Sequence, residues 1–354
     1  MWTIILDRRT SLLCVALAVG ACDKKEQATP EPAPSTTQSA EPPAEPEAGP
    51  CSAGSDPVVL DTTDGYVYDL AQDAGYVYYG RWQLYGNRGD LRRARKDGKG
   101  GMNLSSLSLE PRGVVVDDKN VYFTAGIRLM QMPKAGGDSK VLAPKFSSLS
   151  ITAHDKYIYG VPGDYGPYDR LIRADTTDGK TYELDVSERP DTKEQPRGFS
   201  DIAADDESIF VTDSSGDRVL KFTHERAKPK VLANKQPKPF ALGIDADTVY
   251  FTLAQKGDLM KIAKSGGKAE KIAFGLVQNS PLAVDDKGLV MVAKGKDDDS
   301  PTFLVMIDKA GGAPKPLSKV PDGNYVEVVG LDAKCVYWVQ REAGAKTTVF
   351  ARAR

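Results

Sequence analysis

Seven stretches of this chain align with one another without gaps: LAQDAGYVYY from Leu70, VVVDDKNVYF from Val114, ITAHDKYIYG from Ile151, IAADDESIFV from Ile202, LGIDADTVYF from Leu242, LAVDDKGLVM from Leu282 and VGLDAKCVYW from Val329. A unit repeated this often has to bury its apolar face against its own neighbours. The first column is always large and apolar (Leu70, Val114, Ile151, Ile202, Leu242, Leu282, Val329). The second tends to be small, as at Ala71, Ala203, Gly243, Ala283 and Gly330, which suits packing near a crowded axis. The fourth is Asp73, Asp117, Asp205, Asp245, Asp285 or Asp332, with His154 the exception. An Asp there can accept backbone N–H groups two residues on, which fits a tight turn. A β-branched residue or Leu follows, then an aromatic in every copy except at Val290. The unit reads as strand, turn, strand.

A third strand comes next (LMQMPK, RLIRAD, RVLKFT, DLMKIAK, FLVMIDK), then in most copies a glycine-containing turn. A fourth strand such as SKVLA, KPKVLA, AEKIA or PKPLS completes the unit. Four antiparallel strands repeated every 40–50 residues or so predict an all-β chain, a β-propeller. The stretch from Pro57 to Arg354 divides into seven blades of about 43 residues, with six of about 50 as the alternative. The seventh unit ends on its third strand, Val349–Arg352, and the missing fourth resembles Pro57–Leu60. The N-terminal strand is therefore expected to pair with the last blade, closing the ring and removing its open edge. PKAGGDSKVLA, with its echoes KAGG at Lys309, KSGG at Lys264 and KDGKGG at Lys96, looks like a phosphate loop. Such a loop needs a helix to follow, and none is signalled. The glycines are read as hairpin turns and the lysine as a solvated charge at an outer turn.

The pattern VDDKNVYFT…LMQMPKAGG resembles β-propeller repeats of the YWTD, NHL and SMP-30 style, especially propeller lipoproteins of the myxobacterial type. The resemblance runs from Pro57 to Arg354 and implies the fold; it implies no single activity, since propellers carry unrelated functions.

The first residues, MWTIILDRRTSLLCVALAVGAC, read as an export signal, with Arg8 and Arg9 before a short apolar core. Val19-Gly20-Ala21-Cys22 resembles a bacterial lipobox, so residues 1–21 are expected to leave and Cys22 to carry lipid. Residues 22–56 are rich in Pro, Ala and Glu, too poor in apolar side chains to fold, and read as a disordered stalk to the domain at 57–354. The expected location is the cell envelope, at the inner or outer membrane. Of the four cysteines, Cys51 and Cys335 then remain. Cys335 lies in the first turn of the blade that the N-terminal strand completes, so a Cys51–Cys335 disulfide is expected to clasp the ring.

Ligands of propellers usually meet the face carrying the second-to-third-strand loops. Two such loops are long and aromatic, and Arg81, Trp82, Tyr85, Tyr165, Tyr168 and Arg170 form a candidate binding surface, aromatic and arginine side chains being typical of hot spots. Asp69, Arg112, Asp201 and Glu327 enter the innermost strands and are expected at the channel mouth. SMP-30-like lactonases hold a cation with carboxylates there, but this ring has mixed signs. His154 and His224, the only histidines, are not adjacent in the repeat frame. That spacing speaks against a site like that of the virginiamycin lyases, which rest on paired histidines. No nucleophile motif or Cys/His cluster is present. A formal charge of −2 gives no footprint for nucleic acid. The sequence thus predicts a monomeric, non-enzymatic binding module for a protein, peptide or glycan, with no cofactor, metal or catalytic residue assigned. A metal-dependent hydrolase or lactonase and a purely structural envelope protein are the alternatives.

Overall fold

The structure, a computed structural model, describes residues 56–83, 86–162, 170–185, 198–225, 228–294, 300–344 and 346–354. Cys22, Cys51, Tyr85, Tyr165 and Tyr168 lie outside these residues. The described residues form seven four-stranded antiparallel sheets, each paired in simple sequential order except the last. Blade one runs from Tyr66 to Leu107, blade two from Pro111 to Ala143, and blade three from Ser148 to Asp185. Blades four, five and six begin at Phe199, Pro239 and Leu282. Blade seven takes three strands from Tyr325 to Ala353 and its outermost from Val58–Asp64.

That closing strand pairs Val58 with Ala351 and Asp64 with Lys346. It is longer than the Pro57–Leu60 match suggests and reaches the turn at Gly65, whose φ of 100° only glycine adopts easily. A Cβ there would lie 2.3 Å from the carbonyl oxygen of Trp82. Asp61 also ties the strand to blade one, accepting from Tyr79 and, at 2.9 Å, from Arg92.

The core is distributed rather than central. Seven buried clusters each straddle two neighbouring blades, for example Tyr159, Val161 and Leu171 of blade three against Ile202, Val211 and Leu220 of blade four. Middle strands are covered on both faces, so Ile209–Asp213 and Asn120–Ala125 are almost wholly buried and read as continuous rather than alternating apolar runs. Near the axis the small second column is required: a Cβ on Gly243 would meet Val284 at 2.3 Å, and one on Gly330 would meet Leu70 at 2.6 Å.

Six of the seven innermost strands pair with their neighbour through a shift of register near their start, as at Val67/Leu70, Phe199/Asp201 and Val326/Val328. Such bulges bend a strand and re-aim its side chains. Here they set the residues of the channel mouth.

Candidate functional site

The bulged ends of the innermost strands surround a cavity of about 340 Å³, lined among others by Tyr68, Asp69, Ser150, Asp201 and Glu327. Asp69 accepts the backbone N–H groups of Leu70 at 2.8 Å and of Val114, in blade two, at 2.9 Å. Asp201 accepts from Ile202 at 2.9 Å, from Ser150 of blade three at 2.7 Å and from Leu242 of blade five at 2.8 Å. Both carboxylates therefore bind neighbouring blades together. Burial pushes Asp69 up to about 7, with the Asp201 charge adding to it against the pull of the two amides. Burial likewise raises Asp201. Among the described residues no three His, Cys, Asp or Glu side chains are grouped as a metal site.

Around this mouth runs a stack of aromatic rings and guanidinium groups. Tyr66 and Tyr68, two residues apart on one strand, lie parallel with centroids 6.1 Å apart and planes within 8°. Arg341 sits 4.8 Å from the Tyr66 ring and 5.3 Å from Tyr325. Its Nε donates to Glu327 at 2.6 Å. Arg112 lies over Tyr68 at 5.5 Å and pairs with Glu110 at 3.2 Å. Burial, then the Glu110 hydrogen bond, raises the Tyr68 hydroxyl above its ordinary range. Tyr325 is 58% exposed and Tyr68 39%. Leu109, Ile127 and Leu149 extend the exposed apolar arc from the same face, across blades one to three.

Asp69, Asp201 and Glu327 thus line the cavity, and Arg112 stands at its rim. Arg81 and Trp82 are placed differently from a presented surface. Trp82 is 8% exposed, packed in blade one, and Arg81 is held by the buried carboxylate of Asp90. Arg170 opens the strand Arg170–Asp175 and only its backbone is described. The side chains missed by sequence reasoning are Tyr66, Tyr68, Tyr325 and Arg341. Tyr68 stands beside Asp69 in the bulge, at the offset that singled out Arg112, and extending the alignment upstream would have found it.

The opposite face is where the repeated aspartates lie. Each accepts the N–H groups two and three residues on, as Asp117 does from Lys119 at 2.8 Å and Asn120 at 2.6 Å. In four copies the aromatic five residues on donates its hydroxyl to the same carboxylate: Tyr78, Tyr122, Tyr250 and Tyr337. The lysine of KAGG is not a solvated outer charge. It crosses to the preceding blade and closes on that aspartate: Lys134 on Asp73 at 2.7 Å, Lys264 on Asp205 at 2.5 Å and Lys309 on Asp245 at 2.8 Å. Lys96 on Asp332 at 2.7 Å and Arg354 on Asp285 fill the same place. Burial alone would raise these carboxyls, but the cation and the amides outweigh it, and all five are held below the usual range, Asp332 at about 2.

Among the described residues, two seams lack the pair. Between blades two and three Thr176 takes the lysine position. Between blades three and four the aspartate is His154, the lysine is His224, and the rings stack 4.9 Å apart at 26°. The two histidines are therefore in contact, against the expectation from the repeat frame. That frame aligned positions within blades and did not register that the end of the third strand reaches the first turn of the blade before it. The pair lies on the face opposite the channel mouth.

Seven blades of this build define a β-propeller. No protein-family model matches the chain, and no curated protein does. Solved structures do. A streptogramin B lyase superposes with a TM-score of 0.59 at 14% identity over 83% of this chain and 96% of that one. BamB from Moraxella catarrhalis gives 0.55 at 11% identity, covering 83% and 99%. The extracellular domain of a putative one component system, BT4673, from B. thetaiotaomicron gives 0.54 at 13%, covering 83% of this chain and 39% of that one. At these identities the likeness is one of fold.

Proposed function

We propose that this propeller is an envelope-anchored, non-enzymatic interaction module that holds a polypeptide partner on its channel-mouth face. The observation that carries this reading is the exposed arc of Tyr325, Tyr68, Leu109, Ile127 and Leu149 beside the stacked Arg341 and Arg112. Exposed aromatic and arginine side chains are what protein interfaces are built around. The exposed aliphatic side chains favour a polypeptide over a glycan, whose hydroxyl-rich surface has little use for leucine or isoleucine. Catalysis has less support, because Asp69 and Asp201 spend their oxygens on backbone amides. The reading takes the anchor to be a lipidated Cys22, supported by the lipobox-like Val19–Cys22, and an extracellular domain among the similar structures is in keeping with export.

The test is site-specific photo-crosslinking of the full chain in its native envelope. A photoreactive residue at Tyr325 is expected to capture one discrete protein, and one at Val231, on an outer blade edge, is expected not to. Tyr68→Ala with Arg341→Ala should abolish that adduct. Equal capture from both positions, or capture indifferent to the substitutions, would remove this face from consideration.

A further inference from the structure

At five seams a cation closes on a carboxylate, and such a pair keeps its charges from pH 8 down to about pH 5. His154 and His224 occupy the same two places at the seam between blades three and four. Imidazole is the side chain whose charge changes within that interval. The seam therefore carries chemistry that the rest of the ring lacks.

The hydrogen bonds fix what the neutral form looks like. Nε2 of His224 faces the carbonyl oxygen of Asp205 at 2.7 Å, and a carbonyl only accepts, so Nε2 carries the proton. Nδ1 then accepts from the Tyr159 hydroxyl at 2.8 Å. The neutral ring has both nitrogens satisfied and lies flat on His154. A proton on Nδ1 would turn the Tyr159 hydroxyl away, since its oxygen must then accept. Nε2 of His154 is 3.7 Å from the fully exposed carboxylate of Asp206. With both rings charged, two cations stack at 4.9 Å where every ionic seam has opposite charges.

The surrounding groups do not cancel this. Of the cations, Lys264 is engaged by the Asp205 carboxylate at 2.5 Å and Lys156 by Asp175 at 2.9 Å. Arg173 lies over Tyr157 at 4.4 Å and donates to the His224 carbonyl at 2.8 Å, and Lys221 donates to the Lys264 carbonyl at 3.1 Å. Of the acids, Asp155 is on the blade-three turn, Asp206 and Glu207 are on the blade-four turn, and Glu225 adjoins His224; all four are exposed and screened by solvent.

We propose that the contact between blades three and four is a pH-responsive joint, latched when the stacked histidines are neutral and loosened when both are protonated. Blade three is the blade it frees, because at its other seam Thr176 stands where the latching cation would be. If the channel-mouth arc binds a partner as proposed above, acidification would displace the end of that arc carried by Leu149; the joint itself is measurable without any partner.

Hydrogen exchange of the full chain at pH 8 and pH 5, corrected for intrinsic rates, tests the joint. Peptides spanning 151–158, 204–211 and 218–225 should lose protection by about fivefold or more at pH 5, while those spanning 242–250 and 302–309, at an ionic seam, should not. The double variant His154→Asp/His224→Lys, which writes in the pair used elsewhere, should abolish the difference. His154→Asp alone should reverse it, since a carboxylate facing His224 tightens as that ring protonates, and it serves where the double variant folds poorly. Equal change at both seams, or a loosening that survives either variant, overturns the proposal.

Discussion

The seams on the two sides of the ring show how one position can be filled by different physics. Between blades seven and one, Asp332 accepts two amides, the Tyr337 hydroxyl at 2.7 Å and the buried ammonium of Lys96 at 2.7 Å. Between blades three and four, His154 makes none of the turn contacts. Its turn has the same length but a different conformation: His154 pairs with Tyr157 at the end of the ladder, and Asp155 takes a φ of 52°. The aspartate has two separable tasks, capping its own turn and latching the next blade. Blade three has given up both together, and the propeller still closes. The ring is held by its apolar clusters, and the latches tune it.

Acid should expose the difference most strongly. The sign follows from the depressed carboxyls of Asp73, Asp205, Asp245, Asp285 and Asp332. A carboxyl lower in the folded state than in the unfolded contributes stability that is complete above the unfolded value, near 4, and lost as pH falls through the folded one. The five seams should therefore all weaken as pH falls below about 4, the Asp332 seam holding down to about pH 2. Asp69 runs the other way. Raised to about 7, it favours the folded state when protonated, so its contribution is lost as pH climbs from about 4 to 7. Denaturant titrations from pH 2 to 8 should show both limbs; a flat profile below pH 4 would mean that the latches carry no stability.

Removing one ionic latch comes next in size. Asp332→Ala strands Lys96, whose side chain is 6% exposed, and orphans two amides and the Tyr337 hydroxyl. Leaving such a charge buried without its partner costs about 3–5 kcal/mol. His154→Ala at pH 8 should cost only about 1 kcal/mol, the loss of a stacked ring on a half-exposed seam. Equal costs in urea unfolding would erase the distinction between the two kinds of seam.

The covalent clasp expected at blade seven is the third lever. Cys335 is buried in the turn whose Asp332 latches blade one, and packs with Tyr337 and Ala351. If Cys51 pairs with it, reduction should cost about 2–4 kcal/mol without altering exchange at the histidine seam. Non-reducing peptide mapping identifies the bond, and a Cys335 recovered as an alkylated thiol would dismiss it.

How much of this was legible beforehand depended on whether a residue acts within its own repeat. The aligned columns carried the blades, the turns and the closing strand because each column's role is set by its own unit: a small residue near the axis, an Asp over its own N–H groups. The latches and the histidine stack join the end of one unit's third strand to the first turn of the unit before it. A column-by-column alignment hides that offset, and so Lys134 read as solvated and His154 as distant from His224. The channel-mouth stack was missed because it lies in the bulge, just upstream of the aligned block, where Tyr66 and Tyr68 share a face only because the strand is extended there.

The smallest expected effect tests whether the latch is a rule of the repeat. Between blades two and three, Asp117 already accepts its two amides and the Tyr122 hydroxyl at 2.8 Å, and lacks only the cation from the next blade. Thr176 stands in that place and spends its hydroxyl on the carbonyl of Lys156 at 3.0 Å. Thr176→Lys should deliver an ammonium to Asp117 as Lys134 does to Asp73, since the strands and turns on both sides repeat the same geometry. The pair would be partly exposed, so the gain should be about 0.5–1 kcal/mol, set against the lost threonine bond. It should vanish in Asp117→Asn and shrink in high salt, which a mere gain in strand packing would not do. A stabilisation indifferent to salt, or none at all, would mean that the five ionic seams depend on local detail and that the repeat does not carry a general latch.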